Sequence, residues 1–259
     1  MKNLRKYGKK PFNVAIIHGG PGAPGEIAPI ARELSTNIGV LEPLQTKTTI
    51  EGQIQELKTI LENNGKVSIS LVGWSWGAWL SYIFAAKYPS FIKKLIIIGS
   101  GPFENKYVKN IMITRLNRLN NAEKIEVNLL VDILNKPSFG NKNKYMERFG
   151  KLIFKADSYN PISQENESIE YQYETHEKIW KQADELRNSG KLLKFGNEIL
   201  CPVLAIHGDY DPHPYKGVQE PLSRVIKDFK FILLERCGHH PWNEIYARDR
   251  FFEILKKEV

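Results

Sequence analysis

Cysteine is scarce: the 259-residue chain has two, Cys201 and Cys237. Two thiols cannot make a disulfide framework, and they agree with a reducing compartment. Cys201 opens one expected strand and Cys237 follows the end of the next parallel one. At ~3.3 Å per residue that places them roughly 20 Å apart, beyond disulfide reach. The six histidines show no H-E-x-x-H spacing and the cysteines no C-x-x-C, so no metal is expected. A phosphate-binding glycine loop is also missing. Gly19-Gly20-Pro21-Gly22 lacks the Lys-Ser/Thr that would follow, and no cofactor is expected. No apolar run is long enough for a bilayer, and no signal-peptide apolar region follows the basic residues 1–10. The expectation is therefore no membrane partner and a cytoplasmic location. Internal repeats and low-complexity segments are lacking too.

What is there is ordinary globular composition, 42% hydrophobic and 25% charged, enough for a substantial core in one α/β domain carrying an insertion. The formal net charge is +8. The lysines are scattered, with small groups at both termini and around residues 142–155. They are not gathered with aromatics on one face, which argues against a nucleic-acid partner.

Residues 12–17 read as a buried strand running into His18-Gly19-Gly20-Pro21-Gly22. A helix-like segment to about Leu34 follows, then a short strand over 40–44. Residues 49–62 read as a helix, with Ile50, Ile54, Leu57 and Leu61 on one face and Asn63-Asn64-Gly65 stopping it. Residues 67–72 are an apolar strand, 78–86 an almost wholly apolar helix ended by Tyr88-Pro89, and 95–98 another buried strand. The alternation gives βαβ units and a parallel sheet. It resumes with strands over 203–207 and 229–234, a helix over 217–227 between them, and a last helix from Asn243.

Residues 103–195 break the rhythm. No strand is expected there, only helical patterns: Met112/Leu116/Leu119, Ile125/Leu129/Ile133, Tyr145/Phe149/Leu152 and 169–186. Asn120 and Glu123 can form a capping box, and Pro137, Gly140 and Asn160-Pro161 punctuate the series. The expected division is a core of residues 1–103 and 196–259 with a helical cap, 104–195, over the C-terminal edge of the sheet, where α/β sheets place their sites.

The chemistry centres on Gly73-Trp74-Ser75-Trp76-Gly77, set between a buried strand and a buried helix. At such a turn the serine is pushed out on a strained backbone, and the flanking glycines avoid collisions across it. A serine nucleophile needs a base, and the base needs an orienting acid. Gly208-Asp209-Tyr210-Asp211 and Gly238-His239-His240-Pro241-Trp242 each follow a parallel strand and emerge at the same sheet edge. Each offers two candidates, Asp209 or Asp211 and His239 or His240, with spacing favouring Asp211. His18 is expected to bond its own loop and His207 to pack beside the acid. His213 and His176 are not expected to be catalytic.

His18-Gly19-Gly20-Pro21-Gly22, Gly73-Trp74-Ser75-Trp76-Gly77, Gly208-x-x-Asp211 and Gly238-His239, in this order, resemble the α/β-hydrolase fold superfamily. The His-Gly-Gly-Pro-Gly form is similar to its proline iminopeptidase branch. The resemblance covers residues 12–103 and 200–259. It implies an α/β-hydrolase fold: a mostly parallel sheet of about six strands, helices on both faces and an inserted helical cap. It also implies Ser75 as nucleophile, His239 as general base and Asp211 as the orienting acid. The oxyanion donors would be the backbone N–H groups of Trp76 and Gly20, with Gly19 as the alternative for the latter; Gly19 and Trp74 would border the substrate. Peptidases of the branch usually carry glycine where Trp74 stands, and bind the substrate amine with cap carboxylates. Here Glu165, Glu167, Glu170, Glu174 and Glu177 are available, but Glu174/Lys178 and Glu177/Lys181 have the i, i+4 spacing of a solvated helix face. The resulting expectation is a serine hydrolase cleaving an ester or amide of a small molecule or short peptide through an acyl-enzyme. The alternatives are an aminopeptidase, a non-hydrolytic enzyme on the same fold or a ligand-binding protein.

Overall fold

A computed structural model describes residues 3–65, 68–136, 140–162 and 169–259. The expectations that fall on Val67, Pro137, Glu165 and Glu167 lie outside the described residues. Among the described residues seven strands form one sheet: β1 (Leu4–Tyr7), β2 (Phe12–Ile17), β3 (Gly39–Pro43), β4 (Ile69–Trp74), β5 (Ile92–Ile98), β6 (Val203–Gly208) and β7 (Phe229–Leu234). Their order is β1-β3-β2-β4-β5-β6-β7, and only the β1–β3 pairing is antiparallel. The seven fit the mostly parallel sheet of about six that was expected, with β1 as the strand not anticipated. β1 lies in the basic leading segment, whose Leu-Arg-Lys-Tyr run carries no buried-strand signature because it is a half-exposed edge strand. Tyr7 Oη donates to Glu42 on β3 at 2.7 Å, and the Arg5 guanidinium lies 3.7 Å from the same carboxylate.

The helices of the sandwich are α1 (Ala28–Leu34), α2 (Ile50–Asn64) and α3 (Trp76–Lys87), followed later by α9 (Lys216–Val225) and α10 (Arg248–Glu258). Thr49 caps α2 by accepting the Gly52 N–H, and Gly65 ends it, within the stop that the sequence pattern implied. Two apolar layers lie on opposite faces of the sheet. One gathers α2, α3 and α9 around Trp76, Trp79 and Tyr82; the other gathers α1 and α10 around Trp74 and Phe251. α3 is buried over almost its whole length, which is why its sequence is apolar all round rather than on one stripe.

Between β5 and β6 the described residues form α4 (Ile111–Asn117), α5 (Asn121–Asn135), α6 (Asn143–Asp157), α7 (Tyr173–Asn188) and α8 (Lys191–Lys194). No strand is present among them; the sole ladder contact is an isolated bridge from Pro161 to Glu244. The Asn120/Glu123 capping box is formed in both directions, at 2.9 and 3.0 Å. The face of α5 differs from the expected one. Val127 and Leu130 enter a small core with Leu119, Leu152 and Ala156, whereas Ile125 and Leu129 are exposed. Both stripes of this helix are apolar, so periodicity alone could not select between them.

Candidate functional site

Ser75 sits at the turn between β4 and α3 with φ 55° and ψ −116°, a backbone state that a non-glycine residue adopts only when its surroundings force it. A Cβ at Gly73 would lie 2.2 Å from the Gly77 carbonyl oxygen, and one at Gly77 2.2 Å from that of Ile17. The two glycines are thus fixed by backbone packing, and the Ser75 N–H donates to the Ile98 carbonyl on β5 at 3.0 Å.

The loops after β6 and β7 converge on this serine. His239 Nε2 lies 3.1 Å from Ser75 Oγ, and His239 Nδ1 lies 2.7 Å from Asp211 Oδ2. Burial alone would raise the Asp211 carboxyl, but His239, His213 and His207 around it hold it well below the usual carboxylate range. An ionised carboxylate only accepts hydrogen bonds, so His239 carries its proton on Nδ1 and turns a bare Nε2 to the hydroxyl. Burial works to lower the imidazole's pKa, yet the Asp211 charge outweighs it and leaves His239 above its ordinary value.

The other candidates are placed elsewhere. Asp209 Oδ1 accepts the Cys237 N–H at 3.1 Å. His240 is buried against Trp74 and Phe154, and burial, then the neighbouring His239, holds it well below the usual value. His18 Nδ1 is 2.8 Å from the Gly19 carbonyl, within its own loop. His207 Nε2 donates to the His213 carbonyl at 2.8 Å and lies 3.4 Å from Asp211 Oδ2, packed beside the acid. His213, set aside by the sequence reading, touches the acid directly: its backbone N–H and its Nδ1 lie 2.9 and 2.8 Å from Asp211 Oδ1. Asp211, His213 and His239 offer ligand-type atoms within 4.8 Å of one another, and these carboxylate–imidazole hydrogen bonds occupy them.

Gly20, with φ +22°, lies in the loop after β2. Trp76 opens α3, where the first amides have no intrahelical acceptor. Trp74 lies behind the imidazole rather than on an open face. It is 2% exposed, its ring is 5.1 Å from that of His239, and its indole N–H donates to the His239 carbonyl at 2.9 Å. A Cβ at Gly19 would fall 2.3 Å from the Trp74 ring. The large residue in the serine turn and the small one in the facing loop are therefore one packing solution.

The segment between β5 and β6 reaches the site through backbone hydrogen bonds near Gly22 and His239. The Gln172 N–H donates to the Gly22 carbonyl at 2.8 Å, so the start of α7 rests on the glycine-rich loop. At the end of α6, the Asp157 carbonyl accepts the His239 N–H at 2.9 Å. There the buried Glu244 carboxylate also accepts the N–H groups of Tyr159, Asn160 and Gly238 at 2.7, 2.7 and 3.0 Å. Of the glutamates considered for an amine, Glu174 pairs with Lys178, Glu177 accepts from Tyr173 Oη at 3.3 Å and Glu170 is exposed. A carboxyl the sequence reading missed, Glu26, is closer. Its Oε2 lies 3.6 Å from where a Gly20 Cβ would stand, and desolvation pushes its pKa up to about 7 against the opposing effect of His239. No motif marks it; only its position six residues after Gly20 could have drawn notice.

The model of the alpha/beta hydrolase fold family matches residues 21–241. A stretch of 56 residues is 38% identical to a cis-3-alkyl-4-alkyloxetan-2-one decarboxylase of Shewanella oneidensis, covering 21% of this chain and 18% of that protein. The chain thus matches only 18% and 16% of the length of its curated relatives. Among solved structures, a meta-cleavage product hydrolase from Pseudomonas fluorescens superposes with a TM-score of 0.65 at 17% identity, over 98% of this chain and 92% of that one. A thermophilic esterase from Thermogutta terrifontis gives 0.62 at 18% identity, over 98% and 91%.

Proposed function

This chain belongs to the alpha/beta hydrolase fold family, and on that premise we propose that it is a serine hydrolase acting on an ester or amide carbonyl through an acyl-enzyme. The observation that carries the reading is the unbroken line Ser75 Oγ–His239–Asp211, at 3.1 and 2.7 Å. In it Ser75 attacks the carbonyl carbon while His239 Nε2 takes the hydroxyl proton. Asp211 holds the Nδ1–H and stabilises the imidazolium that forms. The imidazolium then gives its proton to the leaving group, and water repeats the sequence on the acyl-enzyme. The N–H groups of Trp76 and Gly20 are the proposed oxyanion donors, each worth roughly 3 kcal/mol to the transition state. Residues 104–195 act as the cap over a core of residues 1–103 and 196–259, a reading supported by the Gln172–Gly22 and Asp157–His239 hydrogen bonds.

The test is turnover of p-nitrophenyl acyl esters of graded chain length beside aminoacyl arylamides, by the wild type and Ser75→Ala. Hydrolysis abolished by the substitution supports the proposal. Hydrolysis equal in both proteins contradicts it, as does its absence across the panel.

A further inference from the structure

Beyond the three residues of the proposed triad, a second chain of contacts leads from Asp211 into the segment between β5 and β6. Asp211 Oδ1 faces His213 Nδ1 at 2.8 Å. The other ring nitrogen, His213 Nε2, faces Arg115 Nη2 on α4 at 3.4 Å. Arg115 is in turn held in a two-pronged pair with Asp157 on α6, Nε to Oδ1 at 2.7 Å and Nη2 to Oδ2 at 2.6 Å. The Asp157 carboxylate is 1% exposed and the Asp211 carboxylate fully buried.

We infer that Arg115 is a positioning residue for the site, acting through His213: it holds that imidazole in the tautomer whose Nδ1–H donates to Asp211. This rests on the serine-hydrolase reading only in what it does for catalysis; the tautomer itself does not. Two neighbours of opposite character make the same choice. The ionised Asp211 can only accept, so Nδ1 must carry the proton. The guanidinium can only donate, so Nε2 must be bare. In the other tautomer a lone pair on Nδ1 would oppose a carboxylate lone pair at 2.8 Å, and an Nε2–H would oppose a guanidinium N–H. A doubly protonated ring would oppose Arg115 as well. Burial, only partly offset by Asp211, agrees with the neutral state and lowers His213 to about 4.

The consequence falls on His239. With this arm in place Asp211 shares its charge between two imidazoles, and the Arg115 charge itself works to lower the His239 pKa. The other groups facing this cluster are His207 from β6, Asp157 from α6, Arg118 just past α4, His240 beside His239, and Glu26 from the loop after β2. Removing Arg115 deletes a positive charge and leaves Asp157 unpaired, and both changes favour the imidazolium. The base then requires a higher pH to be free.

The first measurement is the tautomer of His213 by nitrogen-15 NMR of histidine-labelled wild-type protein at pH 7, which needs no variant. Protonated Nδ1 with bare Nε2 is expected; a protonated Nε2 overturns the inference. The second is the pH dependence of inactivation by a fluorophosphonate. Arg115→Met is expected to move the acid limb up by about half a pH unit, an approximately threefold slower reaction below it, with Arg115→Lys in between. In a His213→Leu background the same Arg115→Met change is expected to shift the limb less. Labelled Arg115→Met with an unmoved limb, or an equal shift without His213, overturns it. Wild type that is not labelled at all sinks the serine-hydrolase reading instead, and the tautomer then decides the inference alone.

Discussion

Replacing Glu244 with alanine is expected to loosen the segment between β5 and β6 and the histidine loop together. One carboxylate, 1% exposed, receives three N–H groups: Oε1 those of Tyr159 and Gly238, Oε2 that of Asn160. Hydrogen bonds to charged groups contribute ~1.5–3 kcal/mol each, and part of that returns if water enters the gap, so the loss is about 3–5 kcal/mol. For a chain of this size that lowers the melting temperature by on the order of 10 °C. Glu244→Gln keeps one oxygen but points an N–H₂ at a donor, and is expected to cost about 1–3 kcal/mol. Because Gly238 precedes His239, turnover is expected to fall about tenfold to a hundredfold through misplacement of the imidazole. Thermal and urea unfolding, with ester turnover on the same samples, measure both. An alanine variant within about 0.5 kcal/mol of the wild type, with full turnover, would refute the argument that this carboxylate clasps the two segments.

Three further expectations follow from the geometry. Because Asp211 leaves His239 above its ordinary pKa and the base must be neutral, kcat/KM is expected to fall on the acid side through a limb above ~6.5; a limb well below that value contradicts the pairing. The stability signs are opposite. The contribution of His239 is full below its unfolded pKa and is lost as pH rises through the folded one. That of Asp211 is full above its unfolded pKa and is lost as pH falls through the folded one. Glu26, pushed up to about 7 from 4.5, opposes folding increasingly as pH rises through that window. Glu26→Gln is therefore expected to stabilise by about 1–3 kcal/mol at pH 8 and not at pH 4.5, as read by urea unfolding at both. Gly77→Ala, whose Cβ would stand 2.2 Å from the Ile17 carbonyl oxygen, is expected to prevent folding or cost more than about 3 kcal/mol. Gly140→Ala, with nothing within 4 Å, serves as its control in thermal unfolding.

The legible parts of this chain were those whose signal is local. The serine turn between two apolar elements, the Asn63-Asn64-Gly65 stop of α2, the Asn120 cap and the glycine-marked loops after β6 and β7 each depend on residues a few positions apart. So does the choice of Asp211, whose spacing from Gly208 fits the turn. β1 was missed because an edge strand needs neither alternation nor an apolar run. The face of α5 was misread because Ile125/Leu129 and Val127/Leu130 are equally good stripes, and only packing against α6 decides between them. Glu244, Arg115, Asp157 and Glu26 were not legible as site neighbours. The roles of the first three come from contacts involving the segment between β5 and β6, such as Arg115 to His213, and that of Glu26 from its place beside Gly20; no short pattern encodes either. The resemblance implies Trp74 at the substrate border; its buried indole donates to the His239 carbonyl and supports that loop from behind.

The most direct test of the central claim is covalent labelling of the native protein with a fluorophosphonate, followed by peptide mapping of the adduct. One adduct is expected, on Ser75, absent in Ser75→Ala and formed at least about a hundredfold more slowly in His239→Ala. An unlabelled wild type, an adduct on another residue, or labelling indifferent to His239 would contradict it.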